Sequence, residues 1–263
     1  MNATTTIPQD TLSTITIDGK ERYFEPAPKD IDIENFKKVV QSRRSVRKFT
    51  QKPIPKAVMD DCLDMALLAP NSSNLQPWTF YVVKSPDKKA QLVKACLSQL
   101  AAKTAAELVV CVARTDRLDE MAKNNLKHWP MPKTPKPVRQ YYSLIAYNYK
   151  TGFLNSIGAA KKLAFSVARQ FTPLPVTAFT QADARLWAAK TTALACENLV
   201  LALRAHGFDS CMMEGFDEPR VRKLLNLQDE EFPIMVIGAG ERAEDGVFWP
   251  QLRFERDLFV QEV

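Results

Sequence analysis

Glycine is scarce in this 263-residue chain, with 8 in all, about 3% against a usual value of roughly 7%. No GxGxxG and no GxxxxGK[ST] occurs, and the only GxG, Gly238-Ala239-Gly240, has no third glycine after it. The two common glycine-loop phosphate cradles are therefore excluded. Only two histidines are present, His128 and His206, too few for a His-rich metal site or for much choice of a Ser-His-Asp triad. The five cysteines, Cys62, Cys96, Cys111, Cys196 and Cys211, form no CxxC pair. Each lies among apolar neighbours, which predicts buried reduced thiols, no structural metal, and a reducing cytoplasmic setting. No apolar run approaches the ~18 residues that span a bilayer. The N-terminus MNATTTIPQDTLSTITIDGK lacks both the basic and the apolar part of a secretory signal.

What is present is a full complement of core-forming residues, 46% hydrophobic with 25% charged, which predicts a folded globular protein. The net charge of +6 is unevenly spread. Residues 37–56 carry Lys37, Lys38, Arg43, Arg44, Arg47, Lys48, Lys52 and Lys56 with no acid, leaving 28 basic and 30 acidic residues for the rest of the chain. Such a cluster reads as a solvated face, an anion site or a nucleic-acid patch. With Phe49 its only aromatic, it lacks the interleaved rings that single-stranded nucleic acid stacks on. An anionic-polymer binding module on 37–56 is thus the remote alternative.

Residues 1–29 show no periodicity and read as an arm before one domain, 30–263. Asp30 is the expected cap of a first helix bearing Ile33, Phe36, Val39 and Val40 on one face. Pro55 opens a second helix through Leu67, which Pro70 ends. A polar loop, Asn71 to Pro77, feeds a strand from Thr79 to Lys84, and Pro86 opens a helix reaching about Leu100. Leu108–Ala113 is a buried strand. Pro130, Pro132, Pro135 and Pro137 exclude regular helix across their run. One long helix is expected over about 139–170, holding Tyr141, Tyr142, Tyr147 and Tyr149. A second, over 181–206, is apolar on most sides and ends at Gly207. Strands at Phe208–Met213 and Phe232–Gly240 flank a helix capped by Asp217, and the tail from Val247 is extended. With few strands among many helices and no regular βαβ beat, the fold class is α+β.

Four features then stand in order: Arg43-Arg44-Ser45-Val46-Arg47-Lys48-Phe49, Ala69-Pro70-Asn71-Ser72-Ser73-Asn74-Leu75-Gln76-Pro77-Trp78, Glu214-Gly215-Phe216-Asp217, and Arg253. In this order and spacing they resemble the nitroreductase family of FMN-dependent enzymes, over roughly residues 32–114 and 181–263. The resemblance implies a homodimer with FMN at its interface. It implies a central mixed or antiparallel sheet wrapped by helices, a C-terminal tail exchanged with the partner, and a variable lid at about 115–180. It also implies that side chains grip the phosphate: Arg43, Ser45 and Arg253, with Arg44 in the same wall and Arg47 facing the flavin N1 edge. Asn71, Ser72, Ser73, Asn74 and Gln76 are implied contacts to the flavin edge and ribityl chain, Asn71 replacing the family's usual serine. Glu214 and Gly215 would bring a backbone N–H to flavin N5. Ser98 is the nearest match to a contact late in the third helix, and Gln251 takes the place of a frequent lysine. The implied activity is ping-pong hydride transfer from NADPH or NADH through N5 to a small electron-poor acceptor such as a nitroaromatic or quinone, with no catalytic side chain required. Enone reduction and reductive dehalogenation are the alternatives within the family. Neither nucleic acid nor membrane is an expected partner.

Overall fold

The computed structural model describes residues 13–17, 19–24, 27–50, 52–131 and 133–263. Residues 1–12 of the expected arm, and Pro132 of the proline run, lie outside the described residues. Within the segment read as aperiodic, β1 (Ser13–Ile17) and β2 (Lys20–Phe24) pair as an antiparallel hairpin. Gly19 lies between them with φ +69°. The dipeptide Asp18-Gly19 is the sequence signal for such a tight turn.

The centre of the molecule is a four-stranded sheet in the order β3 (Trp78–Val82), β4 (Glu107–Arg114), β6 (Glu231–Gly240), β5 (Asp209–Met213), with antiparallel neighbours throughout. The alternation of side chains along β4 explains why both faces of the sheet are covered. Leu108, Val110 and Val112 point into one core with Val46, Leu92 and Val236. Val109 and Cys111 point into the other, with Met59, Cys62, Leu199, Leu203 and Ile237. That second face is roofed by α2 (Lys56–Leu67) and α8 (Gln181–Ala205). The first is closed by α3 (Pro86–Ala95), α4 (Leu100–Thr104) and α9 (Glu218–Leu225).

Local chemistry sets the element ends. The cap of α1 (Ile33–Ser42) is Asp32, not Asp30: its carboxylate accepts the backbone N–H groups of Glu34 and Asn35. A capping box of Thr180 and Asp183 starts α8, and Gly207 at φ +83° ends it. The third helix stops at Ala95, because Leu97 and Ser98 take left-handed backbone before α4 begins. All five cysteines are buried and unpaired, and burial pushes the Cys62 and Cys96 thiols up to about 11.

Three expectations need correction. Helix α5 (Leu118–Lys127) precedes the prolines, and α6 (Lys136–Ile145) begins inside their run, with Pro137 in its first turn where a missing N–H costs nothing. The single helix over 139–170 is two: α6, then α7 (Ser156–Ala168), joined by 3₁₀ turns at Ala146–Tyr149 and Phe153–Asn155. Between those turns the chain reverses at Gly152, φ +73°. This fold-back brings the buried ammonium of Lys161 to the carbonyls of Ala178 (2.6 Å), Asn148 (3.0 Å) and Tyr147 (3.3 Å). Desolvation holds that ammonium below the usual lysine range. Finally, α8 is not buried all round. Leu186 and Leu194 are exposed, as are Ile33, Phe36 and Val40 on α1, which packs beside it.

Candidate cofactor site

The arginine-rich segment lies beside β5 like an extra edge strand. Ser45 bridges Ser210 in parallel, the Val46 N–H donates to the Ser210 carbonyl (3.0 Å), and the Arg47 N–H donates to Gly246 (2.7 Å). Val46 and Phe49 are buried, whereas Ser45 and Arg47 are exposed to solvent. Behind the segment, buried Asp209 accepts from Arg204 (2.9 Å) and from Arg242 through both oxygens (2.7 and 3.0 Å). Arg242 in turn bridges Phe49. The apolar residues of the motif thus anchor it, and the polar ones are left free to bind.

They line a cleft of about 580 Å³ together with Gln99, Leu100 and Ala101 at the start of α4 and the tail from Val247 to Arg253. This size lies within the range of about 300–1,000 Å³ typical of small-molecule sites. Arg43, Arg44, Ser45, Arg47, Gln251 and Arg253, all expected from the sequence, meet there. Arg44 donates to the Trp249 carbonyl and so ties the segment to the tail. Ser98 is not in the lining; its left-handed backbone presents Gln99 instead. The Gln99 amide donates to the Gly215 carbonyl (2.8 Å), which places the Glu214-Gly215 turn against the cleft wall. Sequence reading had not singled out Leu100 or Val247–Trp249, which belong to no charged motif.

The electrostatics sort the cations of residues 37–56. Lys37, Lys48, Lys52 and Lys56 pair with Glu34, Asp245, Glu241 and Asp60, and Lys38, outside the cleft, donates to the Asn35 carboxamide oxygen (3.5 Å). Arg43 stands 4.0 Å from Glu197, whereas Arg44, Arg47 and the tail's Arg253 have no carboxylate partner among the described residues. Uncompensated positive charge is therefore concentrated on guanidinium groups around one cleft. Planar forks with several donors match a dianionic phosphate, and this donor set fits a phosphate-bearing cofactor held without a glycine loop.

The loop Asn71–Gln76 is not part of that lining. It rests on α5 and α6. Asn74 and Asn125 of α5 exchange two hydrogen bonds (2.6 and 2.8 Å), and Ser73 meets the Tyr141 hydroxyl of α6 at 2.5 Å. Within the loop, the Asn71 carboxamide oxygen accepts the Gln76 N–H (2.9 Å). The serine-to-asparagine departure thereby acquires a role in closing the loop.

Residues 40–241 match the pattern of the nitroreductase family. The chain is 29% identical over 226 residues to a protein named NADH dehydrogenase of Thermus thermophilus, covering 86% of this chain and 96% of that one. A structure from Exiguobacterium sibiricum, solved in complex with FMN, superposes with a TM-score of 0.63 at 22% identity, covering 87% of this chain and 97% of the other. A gut-bacterial enone reductase shares the fold with a TM-score of 0.64 at 20% identity, over 87% of this chain and 97% of that enzyme. Among the described residues no helix is long and apolar enough to cross a membrane, and no cluster of potential metal ligands occurs.

Proposed function

The chain belongs to the nitroreductase family, whose members are FMN-dependent NAD(P)H oxidoreductases, and from that premise we propose that the arginine-lined cleft binds FMN and that the protein passes hydride equivalents from NADPH or NADH to a small electron-poor acceptor. The observation that carries this is the convergence of Arg44, Arg47 and Arg253, without carboxylate partners among the described residues, on a cleft of about 580 Å³. FMN, when bound, supplies reversible hydride acceptance. The protein's own residues bind and orient. Arg43, Ser45 and Arg253 hold the phosphate, and Arg47 sets a fixed positive charge beside the ring edge that becomes anionic on reduction. Gln99 holds the Glu214-Gly215 turn in place through its carbonyl. No side chain is needed as nucleophile or general base.

The rest of the candidate set, Asn71, Ser72, Ser73, Asn74 and Gln76, reaches such a cofactor when a second copy of the chain presents it. Exposed Ile33, Phe36 and Val40 on α1, Leu186 and Leu194 on α8, and Trp249, Leu252 and Phe254 on the tail supply a large apolar surface for that second copy. A homodimer covers this surface and completes the site. The lid over 115–180 then selects the acceptor.

The test is direct. Purified protein is expected to be yellow or to take up added FMN, to elute as a dimer, and to oxidise NADPH or NADH in the presence of a nitroaromatic or a quinone. A colourless protein that neither binds FMN nor oxidises either nicotinamide overturns the proposal. Since an enone reductase shares this fold, the acceptor panel includes an α,β-unsaturated ketone. Turnover of that ketone alone assigns the enone chemistry instead.

A further inference from the structure

The loop Asn71–Gln76 has an improbable backbone. Ser73, Asn74 and Gln76 have φ of +61°, +50° and +44°, and none is glycine. L-residues adopt this left-handed region rarely, and three in a stretch of four persist only where the surroundings over-determine them. The loop's own closures are the Gln76 N–H to Asn71 bond (2.9 Å) and a Gln76 amide bond to Asn74 (3.2 Å). The stronger restraint comes from outside. Asn125 accepts from the Asn74 side chain at 2.6 Å and donates to the Asn74 carbonyl at 2.8 Å, so it reads side chain and backbone of one residue together. Its rotamer is itself fixed by donation to the Met121 carbonyl one turn back (2.8 Å). Tyr141, on the neighbouring helix of the lid, holds the preceding residue through Ser73 at 2.5 Å.

We propose that Asn125 and Tyr141 are positioning residues: the lid clasps the strained loop in the conformation in which it meets the flavin, so that lid sequence sets cofactor affinity as well as acceptor choice. The inference rests on the reading that the Asn71–Gln76 loop borders FMN. An unclasped loop relaxes toward ordinary backbone, and apparent affinity falls by the fraction of molecules still in the competent conformation. If that fraction is about one tenth, FMN binds about tenfold more weakly.

The experiment measures FMN dissociation constants and the visible circular dichroism of the bound flavin for Asn125→Ala, Tyr141→Phe, Asn74→Ala and Gln76→Ala. Lys123→Ala, an exposed change on the same helix as Asn125, is the control. Expected are a Kd raised about tenfold in Asn125→Ala and Tyr141→Phe, an altered flavin dichroism in both, and neither change in the control. Adding Asn125→Ala to Asn74→Ala is expected to raise the Kd by less than Asn125→Ala does in the wild type, because the side-chain half of the clasp is already gone and only the bond to the residue-74 carbonyl remains to be lost. If Asn74→Ala and Gln76→Ala weaken FMN while Asn125→Ala and Tyr141→Phe do not, the clasp is refuted and the loop reading stands. If all four bind like wild type, the loop reading itself fails and takes the clasp with it. Should Asn125→Ala not fold, Tyr141→Phe, which removes one hydroxyl, decides alone.

Discussion

Replacing Arg43 by alanine removes a half-buried guanidinium from the cleft wall while leaving the segment's anchors, Val46 and Phe49, in place. Charge-assisted hydrogen bonds contribute about 1.5–3 kcal/mol each. A forked pair to a phosphate at the low end of that range is therefore about 3 kcal/mol, or roughly two orders of magnitude in Kd. The Glu197 carboxylate, 4.0 Å from Arg43, loses its nearest cation in the variant and repels the incoming phosphate, which moves the effect the same way. Arg43→Lys keeps the charge but not the fork, and is expected to recover part of the loss. Arg253→Ala should weaken binding comparably. Lys56→Ala is the control from the same basic stretch: its ammonium pairs with Asp60 on an exposed helix face, outside the cleft. Its FMN affinity is expected to stay within about twofold of wild type. Flavin fluorescence titration at two salt concentrations reads all of these, and the arginine variants should also show a flatter salt dependence. Indistinguishable dissociation constants for Arg43→Ala, Arg253→Ala and Lys56→Ala would refute the phosphate assignment.

Other perturbations test the scaffold. Asp209→Ala leaves Arg204 and Arg242 without their shared buried carboxylate, and chemical denaturation should show a loss of about 3–5 kcal/mol; a loss under 1 kcal/mol contradicts the scaffold role. Lys161→Met deprives the carbonyls of Tyr147, Asn148 and Ala178 of their donor. Increased protease cutting between residues 146 and 180 is expected, with the sheet intact, and unchanged cutting would dismiss the pin. Donation by the Thr180 backbone N–H, joined by the Thr180 hydroxyl and the Phe179 N–H, holds the Asp183 carboxyl below the usual carboxylate range. Its folded pKa being depressed, the stability it confers is present above the ordinary carboxylate pKa and is lost as pH falls through the folded value. Asp183→Asn should hence be less stable than wild type at pH 7, with the gap narrowing as pH falls below the ordinary carboxylate range; a gap that does not narrow in acid contradicts the linkage.

Much of the arginine wall was legible because its chemistry is local. Arg43 to Phe49 is contiguous in sequence, and its two apolar residues, Val46 and Phe49, are the buried ones. The strands and the helices capped by Thr180 and Asp217 followed from short-range signals of the same kind. The segment 115–180 resisted because its shape depends on long-range partners. Nothing within residues 139–170 announces that Lys161 must turn back to reach Ala178. Gly152, a weak point of the expected helix, takes positive φ at the break, and Lys161 pins the fold-back that results. The cap at Asp32 rather than Asp30 was a choice between two equivalent residues two positions apart, settled by which carboxylate meets Glu34 and Asn35. Placing Asn71–Gln76 beside the cleft was beyond a single chain, since the structure sets that loop on the lid instead.

Arg253 belongs to a tail in which every residue from Phe248 to Val263 is exposed, so one wall of the cleft is carried on chain with no core beneath it. If a second copy is what pins that tail, cofactor retention obeys mass action in the protein itself. Dilution would then loosen the wall and release FMN, and free FMN would drive subunits together. Occupancy and assembly would then be one titration rather than two, and a concentrated cell extract and a dilute assay cuvette would hold chemically different forms of the same chain.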